Sequence, residues 1–198
     1  MVRRYGAKLD ATRNPTSPLV LAGEGFTVSG SVTLCDISGN CATFRSPNFM
    51  IDKTPPTVTM SVSPDILWPP DHGNVAVTIK VTVNDNLALP LQPIASLTAA
   101  SSEPDLAPET GNFPGDVNGH DSSSRPVVLT PGAFAFDTGS IKSGNSTTTI
   151  LLRAERAGSG PGRVYTIAGT VLDAAGNPTP FTRTVTVPHD QSSAKPQP

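Results

Sequence analysis

Each of the three histidines in the chain stands beside an aspartate: Asp71-His72, His120-Asp121 and His189-Asp190. Three imidazoles around one point can hold zinc or another transition metal and leave a position open for water, whose pKa the ion draws down to about 7. If the chain zigzags as seven strands after residue 57, the connections after the first, third and fifth strands share one end with the exit after the seventh. His72 falls in the first of these connections, His120 in the third, and His189 just past the last strand, with the Arg156–Gly162 connection beside them. Such a cluster would serve metal-assisted hydrolysis of an ester, lactone or phosphoester, with Asp71, Asp121 or Asp190 orienting ligands or acting as base. Splitting 126–137 into two strands would move His189 to the other end. The competing reading has each Asp-His pair capping a solvated polar loop.

A second constellation is Gly115-Asp116-Val117-Asn118-Gly119-His120-Asp121. Calcium takes roughly six to eight oxygens, and acidic or amide side chains at alternate positions around a glycine-permitted turn supply them. Asp116, Asn118 and Asp121 are the candidate ligands, and Glu103, Asp105 and Glu109 lie upstream to complete the shell. Ser122-Ser123-Ser124 stands where a full calcium loop carries a terminal bidentate glutamate, so an unoccupied turn rich in Asp and Asn is the alternative. A third group, Asp52, Asp85, Asp173 and Asn177, is expected at the opposite end, where a calcium ion would stiffen a junction between modules. Ordinary turn chemistry competes with that expectation too.

Other signals are weaker. Trp68, between Leu67 and Pro69-Pro70, is a candidate stacking platform for a sugar, which would make the chain a carbohydrate-binding module; a core or rim plug is the alternative. Gly158-Ser159-Gly160-Pro161-Gly162 joins strand to strand and offers no helix N-terminus to a phosphate. Ser159 lacks the nucleophile-elbow pattern of a hydrolase. Arg153, Glu155 and Arg156 put both signs of charge near a strand end, where a cross-strand ion pair is expected. A formal net charge of −2 excludes a nucleic-acid surface built on clustered Lys and Arg. No apolar run approaches the roughly 18 residues of a membrane-spanning helix. Met1-Val2-Arg3-Arg4 leads into polar sequence rather than the apolar core of a secretory leader.

The elements that must position these residues are strands. With 17 Gly and 21 Pro in 198 residues, turns and extended segments are over-supplied. Val75, Val77, Ile79, Val81 and Val83 alternate with polar or small residues, as do Val58, Met60 and Val62. Further strands are expected at 94–102, within 126–137, and at 147–155, 163–172 and 181–187. Their inward residues would include Ile150, Leu152, Ala154, Tyr165, Ile167, Val171, Phe181, Val185 and Val187. Period-two alternation rich in β-branched residues marks half-buried antiparallel strands, and no window carries a helical period. The fold class is all-β. Cys35 and Cys41 flank a turn that would set them opposite each other across a hairpin; an oxidised pair and an extracellular setting are expected, with reduced thiols as the alternative.

An internal repeat at an offset of 137 relates Leu34-Cys35-Asp36-Ile37-Ser38-Gly39-Asn40 to Val171-Leu172-Asp173-Ala174-Ala175-Gly176-Asn177, and Phe44 to Phe181. Asp folds onto the turn amides and Gly takes the left-handed position. The expected organisation is a partial module over 1–52, a proline-stiffened junction over 53–56, a complete module over 57–190 and a disordered tail over 191–198. Residues 1–52 would pack on the second module, complete a partner's sheet in a homodimer, or continue a repeat of a longer protein.

With Ile51-Asp52-Lys53-Thr54-Pro55-Pro56, Ile66-Leu67-Trp68-Pro69-Pro70-Asp71-His72, Leu152-Arg153-Ala154-Glu155-Arg156, Gly162-Arg163-Val164-Tyr165-Thr166-Ile167, Asp173-Ala174-Ala175-Gly176-Asn177 and Thr186-Val187-Pro188-His189-Asp190-Gln191, the sequence resembles the immunoglobulin-like repeats of bacterial secreted and surface proteins. The hyalin-repeat type is the nearest in character. The resemblance covers 51–191 well and 23–50 in part; 137–147 reads as an insertion, and the front half of the first module is missing. It implies an antiparallel β-sandwich outside the cell, a structural or adhesive module in contact with other repeats, a surface glycan or a protein. It supplies no catalytic residues.

Overall fold

The structure is a computed structural model that describes residues 10–15, 18–87, 96–106, 113–129 and 143–190. The chain divides into two units, Met1–Lys53 and Thr54–Pro198. Every element among the described residues is a strand, and no helix is long and apolar enough to cross a membrane. The expected tail 191–198, and Glu109 within the third connection, lie outside the described residues.

The first unit holds β1 (Gly25–Val28), β2 (Ser31–Cys35), β3 (Cys41–Arg45) and β4 (Phe49–Ile51). β1 pairs antiparallel with β4, and β2 with β3. The β2–β3 hairpin puts Cys35 opposite Cys41, with Cα atoms 4.0 Å apart, and the two form a disulfide. Asp36 closes the turn: its Oδ1 accepts the Ser38 and Asn40 amides, each at 2.9 Å, and Gly39 takes φ +88°.

In the second unit lie β5 (Thr57–Ser63), β6 (Asn74–Asn84), β7 (Ser96–Ser101), β8 (Val127–Val128), β9 (Ser143–Arg153), β10 (Gly162–Leu172) and β11 (Pro178–Pro188). One antiparallel sheet runs β5-β6-β9 and the other β11-β10-β7-β8. Val77, Ile79, Val81 and Val83 on β6 are completely buried. They join Met60, Ile150 and Leu152 from their own sheet and Leu97, Ala99, Tyr165, Ile167, Val171, Val185 and Val187 from the other in one apolar cluster. At about 1.5–3 kcal/mol for each buried aliphatic side chain, this shared core is what holds the sheets together. The 143–147 stretch, read from sequence as the end of an insertion, is the first half of β9 and pairs with Lys80–Asn84.

Two loops run along strand edges. Leu67 donates its amide to the Thr186 carbonyl and Thr186 donates to Asp65, both at 2.8 Å, so 65–67 lies beside β11. The 116–118 segment lies beside β9: Arg153 N donates to Asp116 O, Asn118 N to Leu151 O, and Leu151 N to the Asn118 side-chain oxygen. The Asp173–Asn177 turn between β10 and β11 repeats the first unit's turn, with Asn177 N on Asp173 Oδ1 at 2.8 Å and Gly176 at φ +93°.

Candidate functional site

β6 has two ends, and polar side chains gather at both. At its Asn74 end, opposite Arg153 of β9, the segments 64–74, 102–106, 113–118 and 154–162 meet. His72 N donates to Ala154 O at 3.0 Å, and Ala157 N donates to Glu103 Oε2 at 2.6 Å. Their common centre is Arg163, which is fully buried although it is the second residue of β10. Its Nη1 is ion-paired with Asp116 Oδ1 and lies 3.4 Å from the Tyr165 hydroxyl. Nη2 donates to the Pro104 carbonyl at 2.9 Å and stands 4.0 Å from Glu155 Oε1, while Nε faces Glu103 Oε2 at 3.5 Å. Glu155, also fully buried, holds His72 Nδ1 at 3.0 Å, and the His72 ring packs on Phe113 with centroids 5.1 Å apart.

The electrostatics of this end are lopsided. Burial pushes the Asp116 carboxyl up to about 7, against the pull of Arg163 and with the Asp105 carboxylate adding to the rise. Burial likewise raises the Tyr165 phenol, whose hydroxyl donates to Arg153 O at 2.8 Å. Arg153 and Arg156 spend their guanidinium groups on carbonyls, of His72 and Pro114 in one case and of Ala157 in the other. Of the three charges expected to make a cross-strand ion pair, Glu155 alone does so, with Arg163 of β10 at 4.0 Å. Glu155 turns inward to Arg163 and His72, because a buried carboxylate needs a charged partner and the part-buried Arg153 and Arg156 are bonded to carbonyls instead.

The sequence candidates are dispersed across this end. His72, His120 and His189 do not bring their ring nitrogens within 4.8 Å of one another as a three-ligand set. His72 is taken by Glu155, His189 Nε2 lies 3.3 Å from Gly158 O, and His120 lines a surface groove with Asp121, Ser124, Arg125, Pro126, Val127 and Val128. Strand parity brings loops to a common end but does not aim side chains. The calcium-type loop also splays: Asp116 turns to Arg163, Asn118 caps the β9 edge, and Asp121 folds onto its own turn. Hydroxyl and amide donors from Ser123 and the Ser124 hydroxyl hold the Asp121 carboxyl down to about 2. Asp71 accepts the Gly73 amide, and Asp190 is exposed. Trp68 is 40% exposed beside fully buried Leu67. Sequence reading missed Arg163 as the organising residue; its place on the inward parity of β10, with Tyr165 and Ile167, was the available signal.

At the other end of β6, Asp85 and Asp173 bring carboxylate oxygens within 4.8 Å of each other. Asp173 is buried, and Asn177 steadies it through both its backbone and side-chain N–H groups. Asp85 Oδ1 accepts the Leu87 amide at 2.8 Å, and its Oδ2 is buried with no hydrogen-bond donor among the described residues. Asp52 belongs to the first unit, one residue before its end. Comparison of the chain with protein-family models, with curated proteins and with solved structures gave no match.

Proposed function

We propose that the chain is a secreted or cell-surface immunoglobulin-like module, structural or adhesive, stiffened by calcium and without turnover of its own. The observation that carries this reading is the strand order of the second unit. A seven-strand immunoglobulin-like sandwich places its first, second, fourth and fifth strands in one sheet and its third, sixth and seventh in the other. β5, β6 and β9 stand as the first, second and fifth strands and β7, β10 and β11 as the third, sixth and seventh. The fourth strand, the two-residue β8, departs from that pattern by pairing with β7. The Cys35–Cys41 disulfide supports an oxidising compartment. Asp85 and Asp173, converging at one end of the unit, are the candidate calcium ligands, and oxygen donors of this kind suit that ion. Loops at the ends of a rigid sandwich would then meet neighbouring repeats, a surface glycan or another protein.

Melting of the full chain with calcium and with EDTA tests the proposal. Saturating calcium at about 100 times Kd adds roughly 2.7 kcal/mol, a rise of several degrees in Tm. Asp173→Asn should abolish most of that rise. Equal Tm values in calcium and EDTA would remove the ion from the reading.

A further inference from the structure

We propose that Asp105 and Asp116 form a second site for a hard divalent cation of the calcium class, at the end of the unit organised by Arg163. Asp116 and Glu155 are fully buried and Glu103 nearly so around the one fully buried guanidinium among the described residues, Arg163. The part-buried Arg153 and Arg156 guanidiniums at the same end are bonded to carbonyls rather than to these carboxylates. Arg163 engages one oxygen of Asp116, while Oδ2 is sealed from solvent with no hydrogen-bond partner. Glu155 Oε1 is in the same condition, 4.0 Å from Arg163 Nη2. Ser122, on the same loop and 1% exposed, keeps a further oxygen without a partner.

Asp105 sets the geometry. Its Oδ1 accepts the amides of Gly115 and Asp116 at 2.8 and 3.0 Å, which brings its carboxylate against that of Asp116. Two like charges meeting out of water require a shared proton or an added cation. Buried charges are paired or coordinate metals. Arg163 is shared among Asp116, Glu103 and Glu155, and Glu155 has His72 besides, so Asp105 and the second oxygen of Asp116 are left without a cation of their own. The donors are all oxygens, which selects a calcium-type ion over zinc or copper. This site differs from the one suggested by the loop's spacing, because Asn118 and Asp121 are engaged elsewhere. It is also separate from Asp85 and Asp173, which lie at the far end of the eleven-residue strand β6, roughly 33 Å away.

Isothermal titration calorimetry of the full chain with calcium at neutral pH counts the ions bound. The wild type should take two, and Asp116→Asn and Asp105→Asn should each take one, with unchanged far-ultraviolet circular dichroism. If Asp116→Asn does not fold, the half-exposed Asp105 position decides alone. Retention of the wild-type count in either folded variant would overturn the site and leave a shared proton in its place. Asp173→Asn reports on the other end separately: loss of an ion there, with none lost at Asp105 or Asp116, would sink this inference and spare the first.

Discussion

Arg163 shows how much one side chain can organise. Three loops separated by dozens of residues converge on its five N–H groups, and the guanidinium fork serves a carbonyl and several carboxylates at once in a way an ammonium cannot. Its neighbour Asp116 makes the arrangement sensitive to pH. In the calcium-free chain Asp116 keeps its proton up to about pH 7 when folded, against about 4 when unfolded. The folded form binds more protons between those values, so this contribution to stability is fully present below about pH 4 and is lost as pH rises through 7. Urea unfolding in EDTA should therefore show a decline on the order of 2 kcal/mol from pH 5 to pH 8. Asp116→Asn, neutral at every pH, should flatten that slope; an equally steep slope in the variant would assign it to another group.

At the level of strands, alternation made most of the architecture readable. β6 carries inward Val and Ile at every second position and β10 carries Tyr165, Ile167 and Val171 on its inward parity. The Asp-x-x-Gly-Asn turns appear twice with the same Asn amide-to-Asp carboxylate hydrogen bond. The start of β9 was hidden because Gly144 and Ser146 fill its inward positions; beside Val83 and Val81 of β6, these small residues leave no apolar signature. β1 and β4 were hidden by shortness, four and three residues with no alternation to detect. The polar centre was legible only in part. Arg163 shares the inward parity of its strand, but its meeting with Asp116 depends on how the loop from 113 onward folds back, which no local pattern encodes. Gly162 is the hinge that lets β10 begin beside it. It sits at φ +105°, and an added Cβ would strike the Val187 carbonyl oxygen and lie 2.9 Å from His189 N. Gly162→Ala should cost about 1–3 kcal/mol in chemical denaturation; a loss below a few tenths would show that the β10–β11 end can shift freely.

For the whole molecule, the two units differ in what holds them. The buried apolar cluster draws every member from residues 60–187, whereas in the first unit Cys35 alone among the described apolar residues is buried. Residues 54–190 expressed alone should keep the urea midpoint of the main transition of the full chain, within about 0.5 kcal/mol. A larger drop would mean that the first unit contributes to that core. The strips of chain at 65–67 and 116–118 have a further consequence. They occupy backbone donors and acceptors on β11 and β9 that a foreign ribbon would otherwise seize. Along those stretches of β11 and β9 a crowded solution of such molecules is denied the lateral zippering that starts fibrils.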